Sequence, residues 1–504
     1  MLILLLTLAG CGSSGGGLFG EPSLDELNAV RAVPDENADD TPPDASFEPG
    51  QRRDVGGAQA VFPSQRPNEY VSGVVMPGDL DGDGYGDLVM WAHLMNDPDV
   101  VDCSRGCPGF GQLVVYVAYG GSSFGADGVI RADARLESWH INGIEPWVSS
   151  AGDVDGDGRP DVLISVGADC QQGNVLTLYG GSRLSGTMDV RDLPGGVLRE
   201  TGACTRFGNA VGVGDLDGDG FADFVVAAPS SDRSYLYYGR AGRSDARRSE
   251  LDADAILLAT GIDGVGPAQP AGDVNGDGLD DMIVAGSTGP AFHEDVGVWH
   301  LVLGGPRLAG EVPIETLGTA IEAAFVSGLG DLDGDGRGEL GVTRNGAGVD
   351  GFVLPGRGEW PAALGVEDGA LRIARALAPG AVGGSTALRP AGDVNGDGAL
   401  DFLYSDSEAT SDGYPRGSVQ LFLGPRTMDA TLEASSGTEF LGQLWLSEHD
   451  GSVRGFDSLG EWSWRLGNGL AAGSDLDGDG YGEIAIVARI APDSGRLYLW
   501  RGRP

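Results

Sequence analysis

Short apolar runs recur in a fixed order along the chain from about residue 60 onward. One kind follows an acidic, glycine-rich loop: Leu88-Val89-Met90-Trp91, Val162-Leu163-Ile164, Phe224-Val225-Val226, Met282-Ile283-Val284 and Ile484-Ala485-Ile486-Val487. A second kind ends on glycine, at 113–119, 175–179, 235–238, 298–303, 352–354, 419–423 and 497–500. The runs are too short for helices, carry no 3.6-residue period and are rich in β-branched residues, so they predict strands. Each unit has a strand before the loop, one after it, a third closing on glycine, and room for a fourth. Four strands of ~6 residues with their connections fill about 60 residues.

The loops between the first two strands are near-copies, starting at Asp79, Asp153, Asp215, Asp273, Asp331, Asp393 and Asp475. Their spacing of roughly 60 residues marks a repeat array rather than independent domains. Each reads Asp-x-Asp/Asn-Gly-Asp-Gly-x-x-Asp/Glu. Position 1 is the starting Asp. Position 3 is Asp81, Asp155, Asp217, Asn275, Asp333, Asn395 or Asp477. Position 5 is Asp83, Asp157, Asp219, Asp277, Asp335, Asp397 or Asp479. Position 9 is Asp87, Asp161, Asp223, Asp281, Glu339, Asp401 or Glu483. Side chains at positions 1, 3, 5 and 9 can curl around one cation. The carbonyl of position 7 completes the cage, from Tyr85, Arg159, Phe221, Leu279, Arg337, Ala399 or Tyr481. Glycine at position 6 makes the sharp turn, and a second glycine at position 4 leaves space near the ion. Position 2 is always Leu or Val and anchors the loop to a core.

All these donors are hard oxygens, which excludes the usual zinc, copper and iron sets and favours Ca²⁺ over Mg²⁺. Without a cation, two carboxylates ~4 Å apart would repel by roughly 4 kcal/mol at an effective dielectric of 20. About seven Ca²⁺ are therefore expected, one per unit. They would remove about a third of the formal charge of −43. Seven four-stranded units imply an all-β fold, a seven-bladed β-propeller with a Ca²⁺ loop in the first hairpin of each blade. The chain ends just after the third strand of the last unit, so residues near 58–62 are expected to supply the missing outer strand.

Charge and composition narrow the function. The 504 residues carry 75 acidic and 32 basic side chains, and every basic one is Arg. Such a chain offers no basic surface for nucleic acid and no Lys for Schiff-base or phosphate-loop chemistry. His93, His140, His293, His300 and His449 sit in no metal or nucleophile motif and read as surface or core residues. No Gly-x-Ser-x-Gly elbow and no His-Glu-x-x-His pair occurs.

The N-terminus has a different character. An apolar run at 2–9 is too short to span a bilayer and suits a secretory leader. Leu8-Ala9-Gly10-Cys11 resembles a bacterial lipobox, in which Cys11 is lipidated and becomes the mature first residue. Residues 1–11 are thus read as a lipoprotein signal. Residues 12–50, rich in Gly, Ser, Pro and acid, are read as a tether of ~35 Å reach, and 51–504 as the propeller. In an exported chain Cys103, Cys107, Cys170 and Cys204 suggest two disulfides, with Cys103–Cys107 and Cys170–Cys204 favoured among three connectivities; zinc is the rival. Insertions near 92–110 and 427–470 break the period. The second holds Phe440, Trp445, Phe456, Trp462 and Trp464, read either as packing between blades or as a binding platform.

Phe207-Gly208, the stretch 214–223 and Ala227-Ala228-Pro229 together resemble an FG-GAP repeat, the unit of the seven-bladed propeller of integrin α subunits. The resemblance covers roughly 51–504. Its calcium-loop half matches in seven copies and its Phe-Gly half clearly only in the third. It implies calcium loops on one face of the disc and a protein or carbohydrate ligand on the opposite face or the rim. Integrin-type inserted, leg and membrane domains have no counterpart here, so the resemblance implies a bacterial surface lipoprotein rather than an adhesion receptor. The resulting reading is a calcium-stabilised, lipid-anchored binding or adhesion module of the cell envelope, on the outer membrane or cell surface, and not an enzyme. The alternative is a secreted, calcium-dependent propeller acting on polysaccharide in the manner of a lyase.

Overall fold

The computed structural model describes residues 58–94, 112–138, 147–166, 174–258, 265–286, 297–344, 351–374, 386–424 and 469–503, with breaks of a few residues inside these stretches. It also describes short strands at 31–32, 52–54, 431–433, 437–446, 453–455 and 458–459. Cys11, Cys103, Cys107, Cys170 and Cys204 lie outside the described residues, as do Phe456, Trp462, Trp464 and the tether except 31–32, which pairs with Leu444–Leu446. Phe440 and Trp445 lie on strands.

Blade three shows the unit. Asn209–Gly214, Asp223–Ala228, Arg233–Tyr237 and Ala255–Leu258 form an antiparallel meander, with the acidic loop joining the first two strands. The second strand is buried along its whole length because blades pack on both of its faces, and this is why its sequence is a continuous apolar run. Outer strands meet solvent on one face and alternate, as in Gly318–Ala323 of blade four and Leu371–Ala374 of blade five.

Seven such sheets stand around one axis, and their first strands touch in sequence. Between each neighbouring pair lies an apolar cluster, seven among the described residues. The cluster joining blade seven to blade one combines Leu476, Ala485 and Leu497 with Val74, Leu88 and Met90, so the ring is closed by packing as well as by hydrogen bonds.

Two features were not legible as strands in the sequence. The first is a fifth strand on the blades. The link between the third and fourth strands of one blade runs parallel to the outer strand of the blade before it, as Gly186–Asp189 does beside Ala134–Ser138 and Gly310–Pro313 beside Ala255–Leu258. The second is an extra strand just before the N-terminal segment near 58–62 from which the sequence expects the missing outer strand. Arg52–Asp54 adds a parallel fifth strand to blade six, on Thr438–Leu441. Ala60–Phe62 then pairs antiparallel with Ser494–Trp500 as the fourth strand of blade seven. A parallel bridge from Val61 to Val129 of blade one covers that strand in turn.

Candidate metal centres

The acidic loops form a continuous ring on one face of the disc. Each is closed from inside by its own amides. In blade one, Asp79 Oδ1 accepts from Gly82 N (2.7 Å) and Asp83 N (3.1 Å), and Oδ2 accepts from Gly84 N (2.8 Å). Asp81 Oδ1 accepts from Asp83 N, and Asp83 Oδ1 from Tyr85 N. The same set recurs in the other six blades, with Asn275 and Asn395 taking the position-3 role. These bonds direct amide dipoles at the carboxylates and lower their mutual repulsion.

Both glycines of the loop have φ near +80° to +90°, at Gly82 (+79°) and Gly84 (+93°) for example. The position-4 glycine has a further reason that sequence reasoning assigned to the ion. In most blades a Cβ there would strike the position-7 side chain of the next blade. Gly156 lies under Phe221, Gly396 under Tyr481, and Gly478 under Tyr85 across the ring closure. Position 7 therefore acts as an inter-blade plug through its side chain, in addition to its carbonyl.

Position 9 is a buttress. Asp87 is fully buried; its Oδ2 accepts from Leu80 N (2.7 Å) and its Oδ1 from Gly120 N (2.8 Å). One carboxylate thus ties the loop to the end of the third strand. The pattern repeats at Asp161, Asp223, Asp281, Glu339 and Asp401. This explains the glycine that closes the third strand in blades one to six: its amide caps the carboxylate, and a Cβ at Gly120 would lie 2.1 Å from the Gly86 carbonyl oxygen. In blade seven, Glu483 Oε2 accepts from Leu476 N, while Oε1 is buried with no hydrogen bond among the described residues. Burial pushes the carboxyls of Asp87, Asp161, Asp223 and Glu339 up to about 7, Asp281 and Asp401 to about 6, and Glu483 to about 8, against the lowering effect of the amides.

Backbone bonds chain the loops together. At five of the seven blade junctions the amide at position 8 donates to the position-1 carbonyl of the preceding blade, as in Ala222 N to Asp153 O (2.8 Å) and Gly338 N to Asp273 O (2.7 Å); in blade two position 8 is Pro160, which has no amide hydrogen. Gly86 N to Asp475 O (2.8 Å) makes the same bond across the closure.

Oxygens of positions 1, 3 and 9 converge within 4.8 Å of one another in blades one, two, three, five and seven: Asp79, Asp81 and Asp87 in the first, Asp475, Asp477 and Glu483 in the last. Position 5 does not join these groups. In blades four and six position 3 is Asn, whose Nδ2 donates to the position-5 carboxylate, Asn275 to Asp277 (2.9 Å) and Asn395 to Asp397 (3.0 Å). The donors are oxygens without imidazole or thiolate, and one of them, Glu483 Oε1, has no hydrogen-bond partner among the described residues. Such a set suits a hard divalent cation. His300, placed on a strand by sequence, is buried in Gly297–Val302, away from the loops.

Sequence reasoning missed a group of arginines on this face. Arg159, Arg183, Arg243, Arg307, Arg337 and Arg501 each pair with a loop carboxylate. The signal available was the arginine shortly after the closing glycine of the third strand, as in Tyr179-Gly180-Gly181-Ser182-Arg183.

Comparison with known proteins bears on two of the blades. The family model described as FG-GAP repeat matches residues 146–178 and 207–245. Phosphatidylinositol-glycan-specific phospholipase D of Mus musculus is 26% identical over 174 residues, 32% of this chain and 20% of that protein. Integrin alpha-PS5 of Drosophila melanogaster is 30% identical over 188 residues, 35% of this chain and 17% of that protein. The aligned stretch thus spans a fifth or less of the length of these relatives. Among solved structures, BBS1N in complex with ARL6DN, from a crystal soaked with mercury, is similar at a TM-score of 0.36 and 11% identity, covering 90% of this chain and 95% of that one. The chain is a seven-bladed β-propeller whose second and third blades match the FG-GAP repeat.

Proposed function

We propose that the protein is a calcium-stabilised interaction module of the cell envelope. The observation that carries the reading is the ring of loops in which buried carboxylates converge with oxygen donors alone. In each blade the residues at positions 1, 3, 5 and 9, with the carbonyl of position 7, would hold one ion. Bound Ca²⁺ supplies positive charge that offsets clustered carboxylates and fastens the first hairpin of the blade. Repetition of one loop around the whole ring speaks for scaffold rather than a single reactive centre. The opposite face and the rim are left for a protein or carbohydrate ligand. The propeller begins near residue 51, tethered through 12–50 to a lipidated Cys11, with the cell surface or outer membrane as its place. Among the described residues no helix is long and apolar enough to cross a membrane.

A polysaccharide-acting enzyme would need a free cationic groove for an acidic substrate. Arginines do gather on the loop face, but the six named above are engaged by carboxylates, so that reading is the weaker one.

The test is metal analysis of the full chain, with melting curves in Ca²⁺ and in EGTA. Close to seven tightly held calcium ions per chain and a large loss of stability in EGTA are expected. No retained calcium together with identical melting curves refutes the metal reading. A Cys11→Ala variant that still fractionates with membranes refutes the anchor.

A further inference from the structure

Three of the loops are gripped by an arginine from the next blade, in one repeated arrangement. Arg243 of blade three places Nε 3.2 Å from Asp155 Oδ2 and Nη2 2.7 Å from Asp157 Oδ2, spanning positions 3 and 5 of the blade-two loop. Arg183 of blade two spans Asp81 and Asp83 of blade one in the same way, and Arg307 of blade four spans Asp217 and Asp219 of blade three. Each guanidinium lies over the tyrosine ending the third strand of the gripped blade: Arg183 over Tyr119 (5.1 Å), Arg243 over Tyr179 (5.6 Å) and Arg307 over Tyr238 (4.9 Å). Two of these tyrosines also accept the amide of the residue following the arginine, Leu184 N to Tyr119 Oη (2.9 Å) and Leu308 N to Tyr238 Oη (2.8 Å). The arginine is therefore held from both sides before it meets the loop.

The gripped oxygens are the Oδ2 atoms; the Oδ1 atoms of the same residues take the loop amides. Under the guanidinium the position-3 side chains are only 4%, 2% and 5% exposed, so each guanidinium covers a buried carboxylate while its own outer side stays in contact with solvent. Blade six differs. Its position 3 is Asn395, and among the described residues no arginine touches its carboxylates.

We propose that Arg183, Arg243 and Arg307 are built-in counter-cations. They hold the loops of blades one to three, and the contact between consecutive blades, in shape when no divalent ion is bound, whereas the blade-six loop depends on the ion. The loops of blades one to three are then arginine-supported and that of blade six ion-dependent, and loss of calcium loosens the ring unevenly. The division into classes rests on the calcium reading; the support given by arginine in metal-free protein does not.

Hydrogen exchange of the full chain, read by mass spectrometry in Ca²⁺ and in EGTA, tests this. In EGTA the wild-type loop at 393–401 is expected to exchange faster than those at 79–87, 153–161 and 215–223. The Arg243→Met variant in EGTA is expected to speed exchange at 153–161 by about three- to tenfold, with 331–339, on a blade that does not touch Arg243, unchanged as the internal control for folding. Arg243→Lys, which keeps the charge without the fork, is expected to fall between the two. Unchanged exchange at 153–161 in Arg243→Met overturns the proposal, and so does a variant in which every loop speeds up alike. If wild-type exchange is the same in Ca²⁺ and EGTA, the calcium reading and the two classes fail, while the comparison of variant with wild type still decides the role of the arginine.

Discussion

The position-9 carboxylate offers the sharpest test of how the loop is attached to its blade. Asp223 is fully buried, and its two oxygens separately accept Leu216 N (2.9 Å) and Gly239 N (2.8 Å). Asp223→Asn keeps the shape but replaces one acceptor with an amide that must face an N–H donor. One buried backbone amide is then left unpaired, at about 1–3 kcal/mol, while the charge assistance lost from the remaining bond is offset by removal of a charge that burial disfavours. The control is Asp217→Asn in the same loop. Blades four and six already carry Asn at that position, and its Oδ1 can still accept the position-5 amide. A cost of about 1 kcal/mol or less is expected there. Urea unfolding in EGTA at pH 8, where the carboxylate is ionised and no ion contributes, gives both values. If Asp223→Asn lies within about 0.5 kcal/mol of wild type, or costs no more than Asp217→Asn, the carboxylate is not a structural buttress and the explanation of the third-strand glycine falls with it.

Other outcomes follow from the same geometry. Phe62, buried against Tyr116 with ring centroids 5.0 Å apart, fastens the N-terminal strand; Phe62→Ala should cost about 3–5 kcal/mol and expose the segment around 52–62 to limited proteolysis, and unchanged protease resistance would refute the clasp. Gly334→Ala meets no neighbour and should show only the cost of its positive φ, about 1–2 kcal/mol, whereas Gly478→Ala also meets the Tyr85 ring and should cost more; equal melting temperatures would mean that position 7 is no plug. The buried position-9 carboxyls bind their protons more tightly in the folded chain than in the unfolded one. Without divalent ion the stability they contribute is complete below about pH 4 and is lost as pH rises through about 6 to 8. Melting temperature in EGTA should therefore fall between pH 5 and pH 8. In Ca²⁺ the fall should shrink or reverse, because the cation binds the ionised form, and parallel slopes in the two buffers would count against metal at these residues.

Local chemistry was enough to write the loop and the strands beside it. The Asp-x-Asp/Asn-Gly-Asp-Gly pattern specifies its own amide-to-carboxylate bonds within nine residues, and the Leu or Val at position 2 is buried in every blade, from Leu80 to Leu476. Continuous apolar runs marked the second strands because blades cover both faces of them. The seven-fold repeat then dictated a ring, since a single blade cannot bury its own faces. What the sequence left open depends on partners far away in the chain. The fifth strands pair in parallel with a different blade, and their short, half-polar segments, such as Gly186–Asp189, carry no strand signal of their own. The arginines on the loop face look like ordinary surface charge until the neighbouring blade places a tyrosine beneath three of them and carboxylates beside them. The use of the position-4 glycine by the next blade likewise arises only when blades stand side by side. Hydrogen bonds within a loop are set by neighbours a few residues apart, whereas contacts between blades require the closed ring, so only the tertiary structure could decide them.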